Sequence, residues 1–243
     1  MIPPDHPRYR SLVTRGLLAE GVKSGIVSLE GLTAHGRGEA IDYFIGERTT
    51  PSAFLAERTA AALLLSARHP LISVNGNAAA LAAREIAALQ KACGALVEVN
   101  LFHRTEERVS LIEDLLRSAG AEVFSGTAEQ LLPLSHDRAW CRREGMFSAD
   151  VILVPLEDGD RAEALVGMGK TVIAIDLNPL SRTARRASLT IVDELTRALP
   201  NITGACRNLT GAERVQLVAS TDNTYLLSEA IREMTVRLSH ALD

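Results

Sequence analysis

Residues 149–183 read ADVILVPLEDGDRAEALVGMGKTVIAIDLNPLSRT, and this stretch decides the fold. An apolar run, Val151 to Pro155, breaks into an acidic turn, Glu157-Asp158-Gly159-Asp160-Arg161. A short helical pattern and Gly169 lead to a second apolar run, Thr171 to Ile175, which closes on Asp176-Leu177-Asn178 and a proline turn. Two β-prone runs joined by a helix predict a right-handed βαβ unit with parallel strands. In open α/β sheets, ligands sit beyond the carboxyl ends of the strands. Both polar clusters are therefore expected at a site.

The same alternation extends outward. Upstream, Leu71–Val74 reads as a buried strand that runs through Asn75-Gly76-Asn77 into a helix from Ala78 to Cys93. Ala95–Phe102 is a strand that opens through His103 and Arg104 into a helix capped by Thr105. Gly120–Phe124 is expected as another strand and Ala128–Leu132 as a short helix. Pro133–Ser148 is the long polar connection, expected as a binding loop or lid. Downstream, Ser181–Arg186 is a short basic helix, Leu189–Val192 the last strand, and 224–242 an amphipathic tail helix. About six strands alternating with helices predict an α/β fold: a Rossmann-like three-layer domain with a mostly parallel sheet. Residues 1–243 are expected as one domain, with residues 1–50 a helical arm packed over one edge.

Composition narrows the functional classes. The 243 residues carry a net charge of −4, 47% hydrophobic residues and 4% aromatics. A chain of this length buries a sizeable core, and a nucleic-acid footprint is absent. Cys93, Cys141 and Cys206 are odd in number and widely spaced, which argues against a disulfide framework or a cysteine zinc site. The first residues lack the apolar core of a secretory signal, and no apolar run is long enough to span a bilayer. A cytoplasmic protein without membrane or nucleic-acid partners is expected.

Several residues carry candidate chemistry. Gly36 and Gly38 flank Arg37 before a helical pattern, as a phosphate-approaching turn would. That G-x-G is neither a Walker A loop nor a full dinucleotide fingerprint. Asn75 and Asn77 suit substrate hydroxyls or a carboxylate; the alternative is helix capping by Asn77. Arg104, Arg138, Arg142 and Arg161 are candidate grips for an anionic group. His103, Glu157, Asp158 and Asp160 lie at expected strand ends as candidate catalytic groups, and Asp158 and Asp160 alternatively suit a hard cation.

Six ordered motifs give a more specific reading: AHGRGEA (34–40), DYFIGERT (42–49), SVNGN (73–77), NLFHRTEER (100–108), VPLEDGDR (154–161) and DLNPLSR (176–182). Together they closely resemble the archaeal-type phosphopantothenate synthetases, the 4-phosphopantoate–β-alanine ligases. The resemblance implies condensation of 4-phosphopantoate with β-alanine, driven by ATP and releasing AMP and diphosphate, on the route to coenzyme A. It also implies Mg²⁺ and a homodimer. By the same resemblance, ATP is held by Arg15, Arg37, Asp176, Leu177, Asn178, Arg182, Thr183, Glu194 and Leu195. The chemistry agrees, since activating a carboxylate as an acyl-adenylate is mainly electrostatic work and needs no side-chain nucleophile. Two other classes remain open at this point: a non-catalytic nucleotide or coenzyme A sensor, and an NAD(P)-dependent oxidoreductase. The second lacks a strand followed by G-x-G-x-x-G.

Overall fold

The computed structural model of the chain describes residues 2–6, 8–155 and 159–241. The chain begins with two helices, α1 (Tyr9–Lys23) and α2 (Leu29–Ile45). Next come α3 (Pro51–Ser66), β1 (Pro70–Val74), α4 (Gly76–Cys93), β2 (Leu96–Val99) and α5 (Glu106–Ser118). A two-stranded antiparallel pair, β3 (Glu129–Gln130) and β4 (Trp140–Cys141), precedes β5 (Val151–Pro155). The chain continues with α6 (Gly159–Gly167), β6 (Thr171–Ile175), α7 (Arg182–Arg186) and β7 (Leu189–Ile191). Three helices finish it: α8 (Leu195–Asn208), α9 (Gly211–Ala219) and α10 (Asn223–Ser239).

The five strands β2-β1-β5-β6-β7 form one parallel sheet in that order. The βαβ unit read from 149–183 lies in it as β5–α6–β6. Successive strand residues point to opposite faces, and the core divides accordingly. Ile72, Val74, Leu153, Ile173 and Ile175 pack with α3, α4, α5 and α8. Leu71, Ile152, Val154, Val172 and Ala174 pack with Ala162 and Leu165 of α6 and with Leu132, Ala139, Cys141 and Met146. Covered on both faces, β5 is buried along its whole length, as parallel strands require. The three-layer α/β expectation is met.

Three expectations are corrected. Gly120–Phe124 does not form a sixth strand. Only Val123 bridges Val97, with the Phe124 N–H donating to the Val97 carbonyl at 2.8 Å. Ala128–Leu132 is not a helix, because Glu129 and Gln130 pair with Cys141 and Trp140 and the Leu131 N–H donates to Ala139. Gly36-Arg37-Gly38 is not a turn but lies inside α2. That helix is framed by strong signals at both ends. The Ser28 Oγ accepts from the Gly31 N–H at 3.1 Å, and Gly46 stops the helix at φ +100°. Two interior glycines cost roughly 2 kcal/mol together relative to alanine, less than the caps and tertiary contacts that fix the ends.

Of the N-terminal helices, α2 lies beside the strand ends, with Gly38 against Leu177. α1 packs on α4 and α2. The Asn77 Nδ2 donates to the Gly31 carbonyl at 2.7 Å, which ties the start of α2 to the start of α4. At its far end, Asp42 accepts from Arg197 of α8 at 2.6 and 3.0 Å.

Segment 133–148 is largely docked rather than a free lid, and Glu98 explains why. Glu98 is 1% exposed on edge strand β2. Its carboxylate accepts from the backbone N–H of Arg142 at 3.0 Å and of Met146 at 2.8 Å. A buried charge persists only when it is paired or hydrogen-bonded in this way. Gly145 must be glycine here, because a Cβ would collide with the Glu98 carboxylate. Arg142, for its part, is buried against Glu113 at 2.8 Å.

The α10 stripe divides. Leu226, Leu227 and Ala230 are buried, whereas Ile231 and Leu238 are exposed. No helix among the described residues is long and apolar enough to cross a membrane.

Candidate active site

A cleft of about 650 Å³ opens beyond the carboxyl ends of the strands. The chain leaves β1 toward β2 on one side of the sheet and resumes with β5 on the other. Such a topological switch point is where open α/β sheets bind ligands. The Asn75 Nδ2 bridges it by donating to the Pro155 carbonyl at 3.1 Å. One wall is the face of α2 that carries Glu30, His35, Arg37, Gly38 and Ile41. The opposite side is built from the strand ends.

Most of the sequence-predicted residues meet here. Arg37, Asn75, Asn77, His103, Arg138, Asp176, Leu177, Asn178, Thr183, Glu194 and Leu195 all line the cleft. The capping role falls to Asn75, whose Oδ1 accepts from the Ala78 N–H at 2.9 Å, and not to Asn77. The Asp176 turn is self-organised. Its carboxylate accepts from the Asn178 N–H at 2.9 Å and from the Ser181 hydroxyl at 2.5 Å, and burial raises its pKa. Ser181 in turn caps α7 through the Ala184 N–H at 2.9 Å. Glu194 caps α8, accepting from the Thr196 N–H at 2.8 Å, and burial raises its pKa as well. Leu195 is buried beneath them. At the β2 end, the Phe102 ring meets the His103 ring edge-on at 4.8 Å, and the Arg138 guanidinium sits 5.1 Å above it.

Six predicted residues stand off the cleft, Arg142 among them, since it is buried against Glu113. Arg15 grips Glu39 of α2 at 2.9 and 3.0 Å, behind the wall. The Arg104 side chain turns to Glu106 at 3.3 Å. Asp160 pairs with Arg182, which also holds Glu163 at 2.7 Å. Arg161 is the clearest correction. It is 0% exposed, its Nη2 lies 2.7 Å from the Met146 Sδ, and it balances the Glu98 charge inside the protein. Glu157 and Asp158 lie outside the described residues.

The sequence reading passed over four cleft residues: Ser28, Glu30, His35 and Arg108. His35 lies within the AHGRGEA motif, yet only the glycines and Arg37 were singled out there. Its Nε2 is buried without a hydrogen-bond partner, and burial lowers its pKa, so it presents a neutral imidazole. Arg108 braces two loops, donating to the His103 carbonyl at 2.6 Å and the Ile26 carbonyl at 3.1 Å.

Sequence comparison agrees with this geometry. The profile of the phosphopantothenate/pantothenate synthetase family matches residues 52–237. A 4-phosphopantoate–β-alanine ligase of Methanospirillum hungatei is 59% identical over 243 residues, covering 100% of both chains. The enzyme of that name from Methanosarcina mazei is 54% identical, over 98% of this chain and 95% of its own. The one from Thermococcus kodakarensis is 48% identical, over 98% and 94%. With a profile match over most of its length and relatives aligned end to end, the chain belongs to the phosphopantothenate/pantothenate synthetase family.

Proposed function

We propose that this chain condenses 4-phosphopantoate with β-alanine at the expense of ATP, forming 4′-phosphopantothenate, AMP and diphosphate. The observation that carries the reading is the end-to-end match to relatives bearing that activity. The carboxylate of 4-phosphopantoate attacks the α-phosphorus of ATP, diphosphate departs, and an acyl-adenylate forms. The amine of β-alanine then attacks the acyl carbon and AMP departs.

The chain's residues divide this work. Arg37 and the Asp176–Asn178 turn face the nucleotide, with Asp176 toward the ribose. Thr183, Glu194 and Leu195 complete that end, and Arg182 joins it on leaving Asp160 and Glu163. Arg15 supports the same end by holding Glu39. Arg138 and the Asn75–Asn77 turn face the phosphate and hydroxyls of phosphopantoate. The start of α4, an 18-residue helix, adds unpaired backbone N–H groups to that anion grip.

Mg²⁺ belongs to the reading as the counter-ion of the nucleotide. Such ions keep several waters and need only one or two protein carboxylates beside phosphate oxygens. The cleft carboxylates at the nucleotide end, Asp176 and Glu194, fit that donor set, not a protein cage. The reading also includes a cytoplasmic homodimer, supported by the exposed Tyr43, Phe44 and Phe54 on neighbouring helices. Purified protein given ATP, β-alanine and 4-phosphopantoate is expected to release AMP. ADP as product, or turnover without phosphopantoate, overturns the reading.

A further inference from the structure

Three carboxylates line the described cleft, and two of them are engaged. Asp176 and Glu194 are mostly buried, and each already accepts two hydrogen bonds from neighbouring residues. Glu30 differs. It is exposed, and its bonds reach only its own helix turn: its own backbone N–H and the Ser28 hydroxyl. These hold its pKa below the usual carboxylate value, so it stays ionised at neutral pH.

Its place in the cleft is equally specific. The β6 and β7 ends, with Asp176, Leu177 and Glu194, meet the far half of α2, where Gly38 lies against Leu177. Glu30 is at the opposite end. Its neighbour Gly31 is bonded to Asn77, and the basic side chains nearest it are His103 and Arg108. A guanidinium has five N–H donors. Three of Arg108's go to the carbonyls of His103, Ile26 and Gly25, which fixes the group in place and leaves one N–H on each terminal nitrogen. A carboxylate and a fixed guanidinium in one end of a cleft are complementary to a short zwitterion.

We propose that Glu30 docks the ammonium of the amine co-substrate while Arg108, with His103 beside it, receives that co-substrate's own carboxylate. The inference rests on the ligase reading and deepens it by giving the second substrate a place. Glu30 acts as a binding group. Glu30 is not among the groups assigned to the nucleotide, so activation of the first substrate proceeds without it.

Two measurements on the full chain separate this inference from the reading beneath it. Phosphopantoate-dependent exchange of labelled diphosphate into ATP, without β-alanine, reports activation alone. AMP release against β-alanine concentration reports the amine step. For Glu30→Gln, the β-alanine KM should rise at least tenfold, while exchange stays within twofold of wild type and the melting curve is unchanged. Glu30→Asp should fall between the two. In the wild type, 3-aminopropanamide keeps the ammonium but lacks the carboxylate, and its KM should exceed that of β-alanine at least tenfold. A β-alanine KM within twofold of wild type in Glu30→Gln overturns the assignment of Glu30. A parallel loss of exchange overturns it too, by placing Glu30 in activation. Equal KM values for β-alanine and its amide overturn the role of Arg108. Wild-type protein silent in both assays overturns the ligase reading instead.

Discussion

The Asn77 side-chain amide donates to the Gly31 carbonyl at 2.7 Å, and this bond joins the first turn of α2 to the first turn of α4. A Cβ on Gly31 would collide with the Asn77 Oδ1. Gly31→Ala therefore pushes the two turns apart at the substrate end of the cleft. Alanine in a helix gains roughly 1 kcal/mol of propensity over glycine, which offsets part of the lost bond. The expected result is a melting temperature within a few degrees of wild type and a kcat/KM at least tenfold lower. Full activity in steady-state assays would show the contact to be dispensable.

Glu57 predicts a pH dependence of stability. It is 0% exposed, and it faces Asp193 at the end of β7 and Asn201 and Arg197 on α8, with Asp42 behind Arg197. Burial, reinforced by the Asp193 charge, raises its pKa to about 9. Between the ordinary carboxylate value and that pH, the folded chain holds a proton that the unfolded chain has lost. Stability therefore falls as pH rises across this window, by at most about 1.4 kcal/mol per pH unit. Glu57→Gln mimics the protonated acid, since its carbonyl can still accept from Asn201. Urea midpoints at pH 6 and pH 8.5 should drop less in the variant than in wild type. Equal drops would exclude Glu57 as the source.

Glu98 predicts a weakening of the docked segment. Replacing it with glutamine turns one acceptor into a donor facing a backbone N–H and removes a negative charge near Arg161. A buried backbone N–H left facing a donor costs about 2 kcal/mol. Glu98→Gln should lower the denaturation midpoint accordingly and speed proteolytic cleavage within 133–148. An unchanged cleavage rate would mean that the segment is held by its apolar contacts alone.

Arg37 is exposed on the cleft face of α2, so its truncation should spare the fold. Arg37→Ala is expected to raise the ATP KM at least tenfold with little change in melting temperature. Unchanged kinetics would remove Arg37 from the nucleotide end.

How legible this molecule was depended on the range of the forces involved. β5 and β6 were readable to the residue, because a parallel strand buried on both faces must be a short apolar run. The strand ends were readable as a site for the same topological reason, which is why Asn75, His103, Asp176 and Glu194 meet. The G-x-G of 36–38 misled because a glycine pair reads as a turn locally, whereas Ser28 and Gly46 decide the helix from a distance. Arg161 was misplaced because its environment comes from Glu98 and Met146, far away in sequence and carrying no periodic signature. Glu30 became visible only once α2 was continuous, since only then does it share a face with Arg37.

The two anchors of α2 have one more consequence. Asn77 holds it at Gly31 and Arg197 holds it at Asp42, eleven residues apart, or about 16 Å along a helix axis. A helix cannot shorten or lengthen without breaking its ladder of hydrogen bonds. The wall is therefore tied at two points, and its length is set by the scaffold before any ligand arrives. Moving one end of it means breaking an anchor or tilting the whole helix about the other. The shape of this side of the cleft is thus built into the backbone, independently of the side chains that line it.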